Sequence, residues 1–390
     1  MNPMLNKLRE MAESKERRII GLMSGTSMDG LDIALCRFRG SGDETTFELE
    51  HFESVGYPED VREQLISFAV AESVNPELIC IWHTKLAHIH AGYINSMMKK
   101  RGLRPDDIDL IASHGQTIYH APRHKHGMED MPNATWQIGD GDHIAVMTGI
   151  TTISDFRQRD TARGNEGAPL AAYGDYLLFS HPDKHRVLLN IGGISNFTWL
   201  PAGKGAFPPV SYDTGPGNTL IDAATRKHFS GMSYDVSGGL AARGTVHDEL
   251  LSLLKAHPYF ERPAPKTTGF EVFNLNWVEE CIEDLGLELK AEDLLATLTR
   301  LTAETVAGEI RKAIPDNEKA EVCVSGGGVC NDTLMAMLAR ALDPVPVRNS
   351  EDLGVSPDAK EALFFAALAN ELICGEDSRL HLGKISLPDG

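Results

Sequence analysis

"GLMSGTSMDG" (residues 21–30) is the stretch that decides the fold. It follows the apolar pair Ile19–Ile20 and leads into the largely apolar run Leu31–Leu35, which is the pattern of two strands joined by a turn. A hairpin turn needs one or two glycines for positive φ. This stretch has three glycines and three hydroxyl side chains. The surplus predicts that a ligand approaches the backbone here.

The bulk composition limits the classes of protein that this chain can be. Its 390 residues are enough for two domains, and 42% of them are hydrophobic, which is ample for real cores. It carries 37 Lys and Arg against 56 Asp and Glu, a net charge of −19 without a basic cluster, which argues against nucleic acid as a partner. A small anionic ligand remains compatible, because backbone N–H groups can hold one locally.

Targeting and redox signals favour a cytoplasmic protein. The charged stretch 1–17 has no apolar core, so it is not a signal peptide, and we expect a frayed extension. The most apolar run, residues 362–369, is far shorter than the roughly 20 residues of a membrane span. The six cysteines lack CxxC spacing, which is typical of reduced thiols. The oligomeric state, a homodimer included, is left open.

Two halves of the chain open with the same pattern. Residues 17–38 and 185–201 each consist of an apolar strand, a glycine turn and a second apolar strand, and strands alternate with helices after each. We therefore predict an α/β fold in which one domain is duplicated. The expected parts are a charged extension at 1–17, an N-terminal domain at 18–184 and a C-terminal domain at 185–390, with helix 359–374 near the cleft between the domains.

Four glycine-rich turns each follow an apolar strand, at residues 21–30, 191–193, 213–217 and 325–328. In α/β sheets ligands bind at that end of the strands, so the four turns would face one nucleotide and sugar cleft. Neither a Walker A loop nor GxGxxG occurs. The pattern is typical of the actin-like ATPase fold, in which two hairpin turns clamp phosphates and a later glycine turn holds adenosine. For residues 325–328 alone, a tight strand–helix turn is the alternative.

"YDTGPGN" (residues 212–218) places Asp213 just past a strand and Asn218 where it can cap the next helix. The Asp213 carboxylate has three interpretations. It is a turn residue, a Mg²⁺ anchor beside phosphates, or the general base that phosphoryl transfer to a hydroxyl requires. Asp222 lies further along an amphipathic helix and is predicted to be a surface acid.

Polar residues also end the strands at "SHGQT" (residues 113–117) and "SDFR" (residues 154–157). A single histidine such as His114 is more often structural than catalytic. Asp155 and Arg157 either reach the cleft or form a surface ion pair. The histidines of "HAPRHKHG" (residues 120–127) resemble a metal tract, but the flanking proline and glycine favour a solvated loop.

Taken in order, eight motifs closely resemble those of the anhydro-N-acetylmuramic acid kinases, from about residue 18 to the end. They are "GLMSGTSMDGLDIAL", "SHGQT", "SDFR", "EGAPL", "NIGGISNF", "DTGPGN", "PKTTG" and "SGGGVCN". The resemblance implies an actin-like two-domain fold. It also implies an enzyme that opens the 1,6-anhydro bond of anhydro-N-acetylmuramic acid with water and phosphorylates O6 from ATP. The product would be N-acetylmuramic acid 6-phosphate, an intermediate of peptidoglycan recycling.

The resemblance further implies roles for individual residues. Asp213 matches the catalytic carboxylate, which would activate the water that attacks C1. The residues implied to bind nucleotide are Gly25, Thr26, Ser27, Met28, Asp29, Gly30, Leu31, Asp32, Gly192, Gly193, Gly326, Gly327 and Gly328. Those implied to bind substrate are His114, Gln116, Asp155, Arg157 and Glu361. ATP and Mg²⁺ are the implied cofactors, and the residues that hold Mg²⁺ are left open.

The sequence departs from the family pattern at Arg163, Asn165 and Phe270, and residues 121–135 look longer than in compact members. These departures bear on the substrate more than on the chemistry. A levoglucosan kinase, which acts on a bare anhydroglucose, is the alternative enzyme. An actin-like protein that binds ATP without transferring phosphate is the alternative of another class. It would leave Asp213 and the two polar loops unexplained.

Overall fold

The chain folds into two compact units in a computed structural model. The structure describes residues 3–71, 73–167, 170–203, 209–315, 319–356 and 358–389. Unit 1 consists of Met1–Leu178 together with Asp358–Gly390, and unit 2 consists of Phe179–Pro357. Each unit is built on its own β-sheet.

Unit 1 holds one mixed sheet and the helices that cover it. Its strands are β1 (Glu16–Ser24), β2 (Gly30–Arg39), β3 (Thr46–Gly56), β4 (Leu110–Ala121), β5 (Ala134–Ile138), β6 (Thr152–Ser154) and, from the end of the chain, β12 (Lys384–Ser386). Its helices are α1 (Pro3–Glu13), α2 (Glu59–Val70), α3 (Pro76–Arg101), α4 (Arg123–His126), α5 (Gly141–Thr148), α6 (Phe156–Ala162), α7 (Ala171–Phe179), which ends at the unit boundary, and α13 (Lys360–Cys374).

Unit 2 repeats this plan with fewer strands. Its strands are β7 (His185–Ile191), β8 (Ile194–Leu200), β9 (Val210–Pro216), β10 (Ala320–Ser325) and β11 (Val347–Asn349). Its helices are α8 (Thr219–His228), α9 (Asp248–Lys255), α10 (Leu275–Asp284), α11 (Ala291–Ala313) and α12 (Asp332–Leu342).

The order of the strands confirms the predicted duplication. In unit 1, β1, β2 and β3 form an antiparallel meander, and β4 and β6 add parallel to β1. In unit 2, β7, β8 and β9 form the same meander, and β10 and β11 add parallel to β7. Both described sheets therefore share one order, with β5 and β12 as additions to the first. The α/β class is confirmed as well.

Each half buries its own core. The core of unit 1 lies between the sheet and helices α2, α3 and α5, and includes Leu22, Ile33 and Trp82. Unit 2 has one core around α11 and the segment after α8, and a second between its sheet and α12. The long helix α3 shows why the sequence predicts its bounds: Asn75 caps its start by accepting from the N–H of Glu77, and Gly102 ends it in the left-handed conformation.

The end of the chain belongs to unit 1, which differs from the predicted single C-terminal domain at 185–390. Helix α13 is buried from Ala362 to Glu371 and packs on β1, β2 and β4. Gly21 permits this contact, because a Cβ there would lie 1.9 Å from the carbonyl oxygen of Ala362. A helix that is apolar on all sides has to be enclosed, and this sheet encloses it.

The N-terminal stretch also differs from the frayed extension that we expected. Residues 3–13 form α1, which buries Met11 and packs on α13. The buried guanidinium of Arg17 donates to Asn370 Oδ1 at 2.7 Å and to the carbonyl oxygen of Gly40 at 2.8 Å. These bonds connect the first strand to the last long helix.

None of the helices in the described ranges combines the length and the apolar character needed to cross a membrane. All six cysteines are free thiols.

Candidate active site

The glycine-rich turn at residues 25–29 joins β1 to β2. Thr26, Ser27 and Asp29 are exposed, whereas Met28 has φ 54° and a buried side chain. A left-handed conformation at a non-glycine residue is uncommon and is retained where surrounding structure enforces it. Here the buried Met28 side chain anchors the turn in the core of unit 1. The exposed hydroxyls and backbone are thereby held toward solvent.

The glycines of this turn have different roles. A Cβ on Gly25 would meet nothing closer than Ser27 Oγ at 3.7 Å, so space is left for a ligand. A Cβ on Gly30 would lie 2.5 Å from the carbonyl oxygen of Val55, so Gly30 serves strand pairing. The Met28 and Leu31 side chains are buried, which leaves only their backbones for a nucleotide contact.

Gln116, predicted to contact substrate, supports the turn. Its side chain is fully buried, its amide donates to the carbonyl oxygen of Gly25 at 3.1 Å, and its Oε1 accepts from Ser24 Oγ at 2.5 Å. These bonds give the side chain a structural role, and the substrate contact stays a prediction.

A polar cavity of about 280 Å³ adjoins the turn. Its lining consists of Gly25, Ser27, Asp29, Asp32, Phe52, Ser54, Asp358 and Glu361. Burial raises the pKa of the Asp32 carboxyl, and the negative charges of Asp29 and Asp358 add to this effect. Burial also raises the pKa of Glu361, although the Arg157 charge opposes the rise. Four carboxyl groups in one small cavity repel each other, so the cavity favours protons or cations.

His114 and Arg157 form a buried pair in the same unit. The Arg157 Nε donates to His114 Nε2 at 2.8 Å, and the guanidinium also donates to the carbonyl oxygen of Gly167 at 2.7 Å. Burial, with the Arg157 charge adding to it, lowers the pKa of His114 to about 3. The imidazole is therefore neutral, and because its Nε2 accepts from Arg157, its proton lies on the buried Nδ1.

Asp155 forms the ion pair that was the alternative interpretation of this residue. Its Oδ2 accepts from Lys384 Nζ at 3.0 Å, and its backbone has φ 54°. The departures at Arg163 and Asn165 also have local explanations. The Arg163 guanidinium donates to backbone carbonyls at residues 378–381, and Asn165 Nδ2 donates to Asp160 Oδ1 at 2.9 Å. The predicted motif "EGAPL" lies partly outside the described residues.

In unit 2 the turn at Gly192 and Gly193 is bonded to the start of α8. The carbonyl oxygen of Gly192 accepts from Asn218 N at 2.8 Å, and that of Gly193 accepts from Gly217 N at 2.8 Å. We predicted that the Asn218 side chain can cap helix α8, but it forms no capping hydrogen bond. It donates instead to the carbonyl oxygen of Ile191 at 3.3 Å. The exposed ring of Phe270 covers Gly193, where a Cβ would lie 2.7 Å from it.

In the turn at residues 326–328, as in the first turn, some glycines are needed for packing and one leaves space for a ligand. Cβ atoms on Gly326 and Gly328 would clash with Asn190 and Ile191 at the end of β7, so these two serve packing. A Cβ on Gly327 would meet only Asn218 Nδ2, at 3.8 Å. Gly327 lines a cavity of about 550 Å³.

This larger cavity includes residues that sequence reasoning missed. They are Ile221, Asp222, Arg226, Ser233, Tyr234, Asp235, Val236, Ser237, Cys330 and Asn331, beside Asn218 and Gly327. Asp222 is half-buried rather than a surface acid, and burial raises its pKa. Tyr234 and Val236 are exposed apolar groups at the cavity. The one feature of the sequence that could have indicated this cavity is the four-residue spacing of Asn218 and Asp222, which places them on the same face at the start of α8.

Asp213 lies within β9, opposite Asn196 of β8. Its Oδ2 accepts from Thr268 N at 2.9 Å, and the carboxylate has no ion pair among the described residues. Burial raises its pKa, and the Thr268 hydrogen bond opposes the rise. A half-buried carboxylate with a raised pKa and one free oxygen is suited to accept a proton.

The raised pKa predicts how Asp213→Asn changes stability with pH. Asn keeps an oxygen for the Thr268 N–H but no charge. Because the folded pKa lies above the ordinary value of 3.8, the ionised carboxylate destabilises the fold. We expect equal melting temperatures below pH 3.8, and a growing advantage of the variant as pH rises through both pKa values. Thermal unfolding from pH 3 to 8 would measure this.

Glu321→Gln is the control of opposite sign. Burial would raise the pKa of Glu321, but hydrogen bonds and charges from Lys184 and Arg186 outweigh it, and the pKa lies below 4.5. Its ionised form stabilises the fold, so Glu321→Gln should be less stable than wild type at neutral pH. An Asp213→Asn variant that is less stable than wild type at neutral pH would contradict the assignment.

The comparisons with known proteins agree on one family. The family model described as anhydro-N-acetylmuramic acid kinase matches residues 17–382. A protein of that name from Pseudoalteromonas atlantica is 43% identical, with 100% of both chains covered. Another from Caldanaerobacter subterraneus is 41% identical, covering 98% of this chain and 100% of its own.

Among solved structures, a hexokinase from Schistosoma mansoni complexed with glucose aligns at 10% identity and a TM-score of 0.38, over 92% of this chain and 86% of its own. That likeness is too distant to bear on function. The family match over nearly the whole chain shows that this protein belongs to the anhydro-N-acetylmuramic acid kinase family.

Proposed function

We propose that the chain uses ATP and water to convert 1,6-anhydro-N-acetylmuramic acid into N-acetylmuramic acid 6-phosphate, with Asp213 as the general base. Family membership supports the kinase activity. The observation that carries the base assignment is the Asp213 carboxyl, which is half-buried, has a raised pKa and keeps one oxygen free of protein hydrogen bonds. Asp32 of β2 is also half-buried with a raised pKa, but the negative charges of Asp29 and Asp358 contribute to that rise, whereas burial alone raises the pKa of Asp213.

The reaction balances with a single base. Asp213 accepts a proton from water, and the water oxygen bonds to the anomeric C1. The electron pair of the C1–O6 bond passes to O6, which bonds to the γ-phosphorus of ATP. The bond between that phosphorus and its bridging oxygen breaks, ADP leaves, and the proton on Asp213 returns to solvent. In-line attack needs positioning more than covalent chemistry from the protein.

We assign the nucleotide phosphates to the hairpin turn Gly25–Asp32 of unit 1. The nucleotide contact of Gly192 and Gly193 stays a prediction of the family resemblance. Gly25 leaves open space, and Thr26 and Ser27 present exposed hydroxyls and backbone. For the nucleoside we assign the cavity beside Gly327. Its volume of about 550 Å³ suits a drug-sized ligand. Tyr234 and Val236 offer apolar surface to a base, and Asp222 offers a carboxylate to ribose hydroxyls.

For the sugar we retain His114, Arg157 and Glu361 from the predicted set. Arg157 is half-buried, and burial lowers the pKa of its guanidinium. The negative charge of Glu361 acts in the opposite direction and raises the Arg157 pKa. The substrate contacts of Gln116 and Asp155 stay predictions of the family resemblance; in this structure the two side chains bond to Ser24 and Gly25 and to Lys384.

Mg²⁺ fits the acidic cavity by the chemistry of its donors. The ion prefers oxygen ligands and commonly takes one or two carboxylates, waters and substrate phosphates. Asp29, Asp32, Asp358 and Glu361 supply such oxygens. No three His, Cys, Asp or Glu side chains within the described segments are arranged to hold an ion by themselves, so phosphate oxygens would complete the shell. When bound, Mg²⁺ would neutralise charge on the phosphates.

Turnover of two anhydrosugars tests the substrate assignment. The purified protein with ATP and Mg²⁺ should release ADP in the presence of anhydro-N-acetylmuramic acid, and much more slowly with levoglucosan at equal concentration. Faster turnover of levoglucosan would establish the alternative enzyme. ADP release that is independent of either sugar would favour an ATP-binding protein without transferase activity.

We place the enzyme in the cytoplasm, where its ATP is available.

Paired variants test the base. Asp213→Asn should lower the single-turnover rate by about 10²–10⁴-fold and leave ATP affinity within about twofold of wild type. Asp222→Asn should weaken ATP binding and leave the rate at saturating ATP largely unchanged, because Asp222 lines the nucleoside cavity. Calorimetric titration and rapid-quench assays measure both quantities. Retention of more than about a tenth of the rate by Asp213→Asn, a loss of under roughly 1.4 kcal/mol, would exclude Asp213 as the base.

A further inference from the structure

Three hydrogen bonds fix Asp213 in place, and two of them involve its backbone. Its N–H donates to the carbonyl oxygen of Lys266 at 3.0 Å. Its carbonyl oxygen accepts from the Tyr259 hydroxyl at 2.6 Å. Its Oδ2 accepts from Thr268 N at 2.9 Å. All three partners come from the segment 259–268, which includes the first four residues of the "PKTTG" motif (residues 265–269), to which we have so far assigned no function.

A buried ion pair holds this segment. Lys266 Nζ lies 3.0 Å from Glu309 Oε1 of α11, and both side chains are almost fully buried. The same ammonium donates to the carbonyl oxygens of Tyr259 and Phe260 at 3.3 and 3.4 Å and lies 4.8 Å from the centre of the Tyr259 ring. Lys266 therefore joins both ends of the segment to the central helix of unit 2.

We propose that Lys266, Glu309 and Tyr259 are positioning residues that set the orientation and proton affinity of the Asp213 carboxylate. The proposal rests on the proposed role of Asp213 as base. A buried charge pair is a poor source of net stability compared with apolar residues of the same size. This pair instead determines where the Lys266 carbonyl and the Thr268 N–H meet Asp213.

The proposed role predicts the direction in which the pH profile of kcat/KM shifts when the segment is loosened. The base must be ionised, so the acid limb of kcat/KM follows the pKa of Asp213. The Thr268 hydrogen bond lowers that pKa against the effect of burial. Loosening the segment weakens this bond, the pKa rises, and the acid limb moves to higher pH. A loss of stability alone would not move it.

Glu309→Gln and Tyr259→Phe test the proposal, with Glu321→Gln as the matched control. Glu309 and Glu321 are both buried in unit 2; Glu309 is paired with two cationic side chains and Glu321 with three. Glu321 faces Arg186 at the opposite end of the strands from Asp213. Tyr259→Phe keeps the ring packed against Phe273 and removes only the hydroxyl.

We expect Glu309→Gln and Tyr259→Phe to lower kcat by about tenfold to a hundredfold, with the KM for ATP within about twofold, and to move the acid limb to higher pH. Glu321→Gln should lower the melting temperature without changing kcat or the acid limb. If Glu309→Gln does not fold, Tyr259→Phe decides the question by its kcat.

Two outcomes separate the failure of this inference from that of the proposed function. If Asp213→Asn is inactive while folded Glu309→Gln and Tyr259→Phe keep wild-type kcat and acid limb, Asp213 is positioned without these residues and the inference is overturned. If Asp213→Asn itself turns over at the wild-type rate, the base assignment fails, and this inference fails with it.

Discussion

The Asp213 carboxylate is half-buried and has no cationic partner among the described residues, and the site in unit 2 is arranged around this constraint. Burial disfavours the ionised form, and one backbone N–H from Thr268 partly offsets it. A salt bridge would have offset it more fully and would have made the carboxylate a weaker base. The Lys266 ammonium instead bonds to Glu309 and to backbone carbonyls. The Lys266 ammonium therefore holds the segment 259–268 without forming an ion pair with the Asp213 carboxylate.

In both units some glycines permit close packing, and others leave space that a ligand can enter. Gly21, Gly30, Gly326 and Gly328 have neighbours so close that any Cβ would force a shift of the backbone or of a packed side chain. Gly25 and Gly327 have free space instead. The same residue type therefore closes a helix onto a sheet at one position and leaves room for a nucleotide at another. This difference is invisible in a glycine-rich motif.

Much of the fold could be predicted from the sequence because it rests on local patterns. The strand–glycine–strand repeat predicts the duplicated sheets, and the capping residues Asn75 and Gly102 account for the bounds of α3. The placement of α13 could not be predicted from order along the chain, since its partner strands β1, β2 and β4 come from the first third of the chain and the contact depends on Gly21. The turn residues and Asp213 were found as strand-end polar groups. Asp222, Lys266 and Glu309 were not, because their roles come from burial and from partners distant in sequence.

The central claim is that Asp213 directs water to the anomeric carbon, and that O6 of the sugar, not water, receives the phosphate. Turnover in water enriched in ¹⁸O, followed by rapid mass spectrometry of the phosphorylated sugar, tests this directly. The account predicts one ¹⁸O atom at the C1 hydroxyl and none in the phosphate ester. The label would be found there before slow exchange at the anomeric centre. Label in the phosphate group, or an unlabelled product at early times, would contradict it.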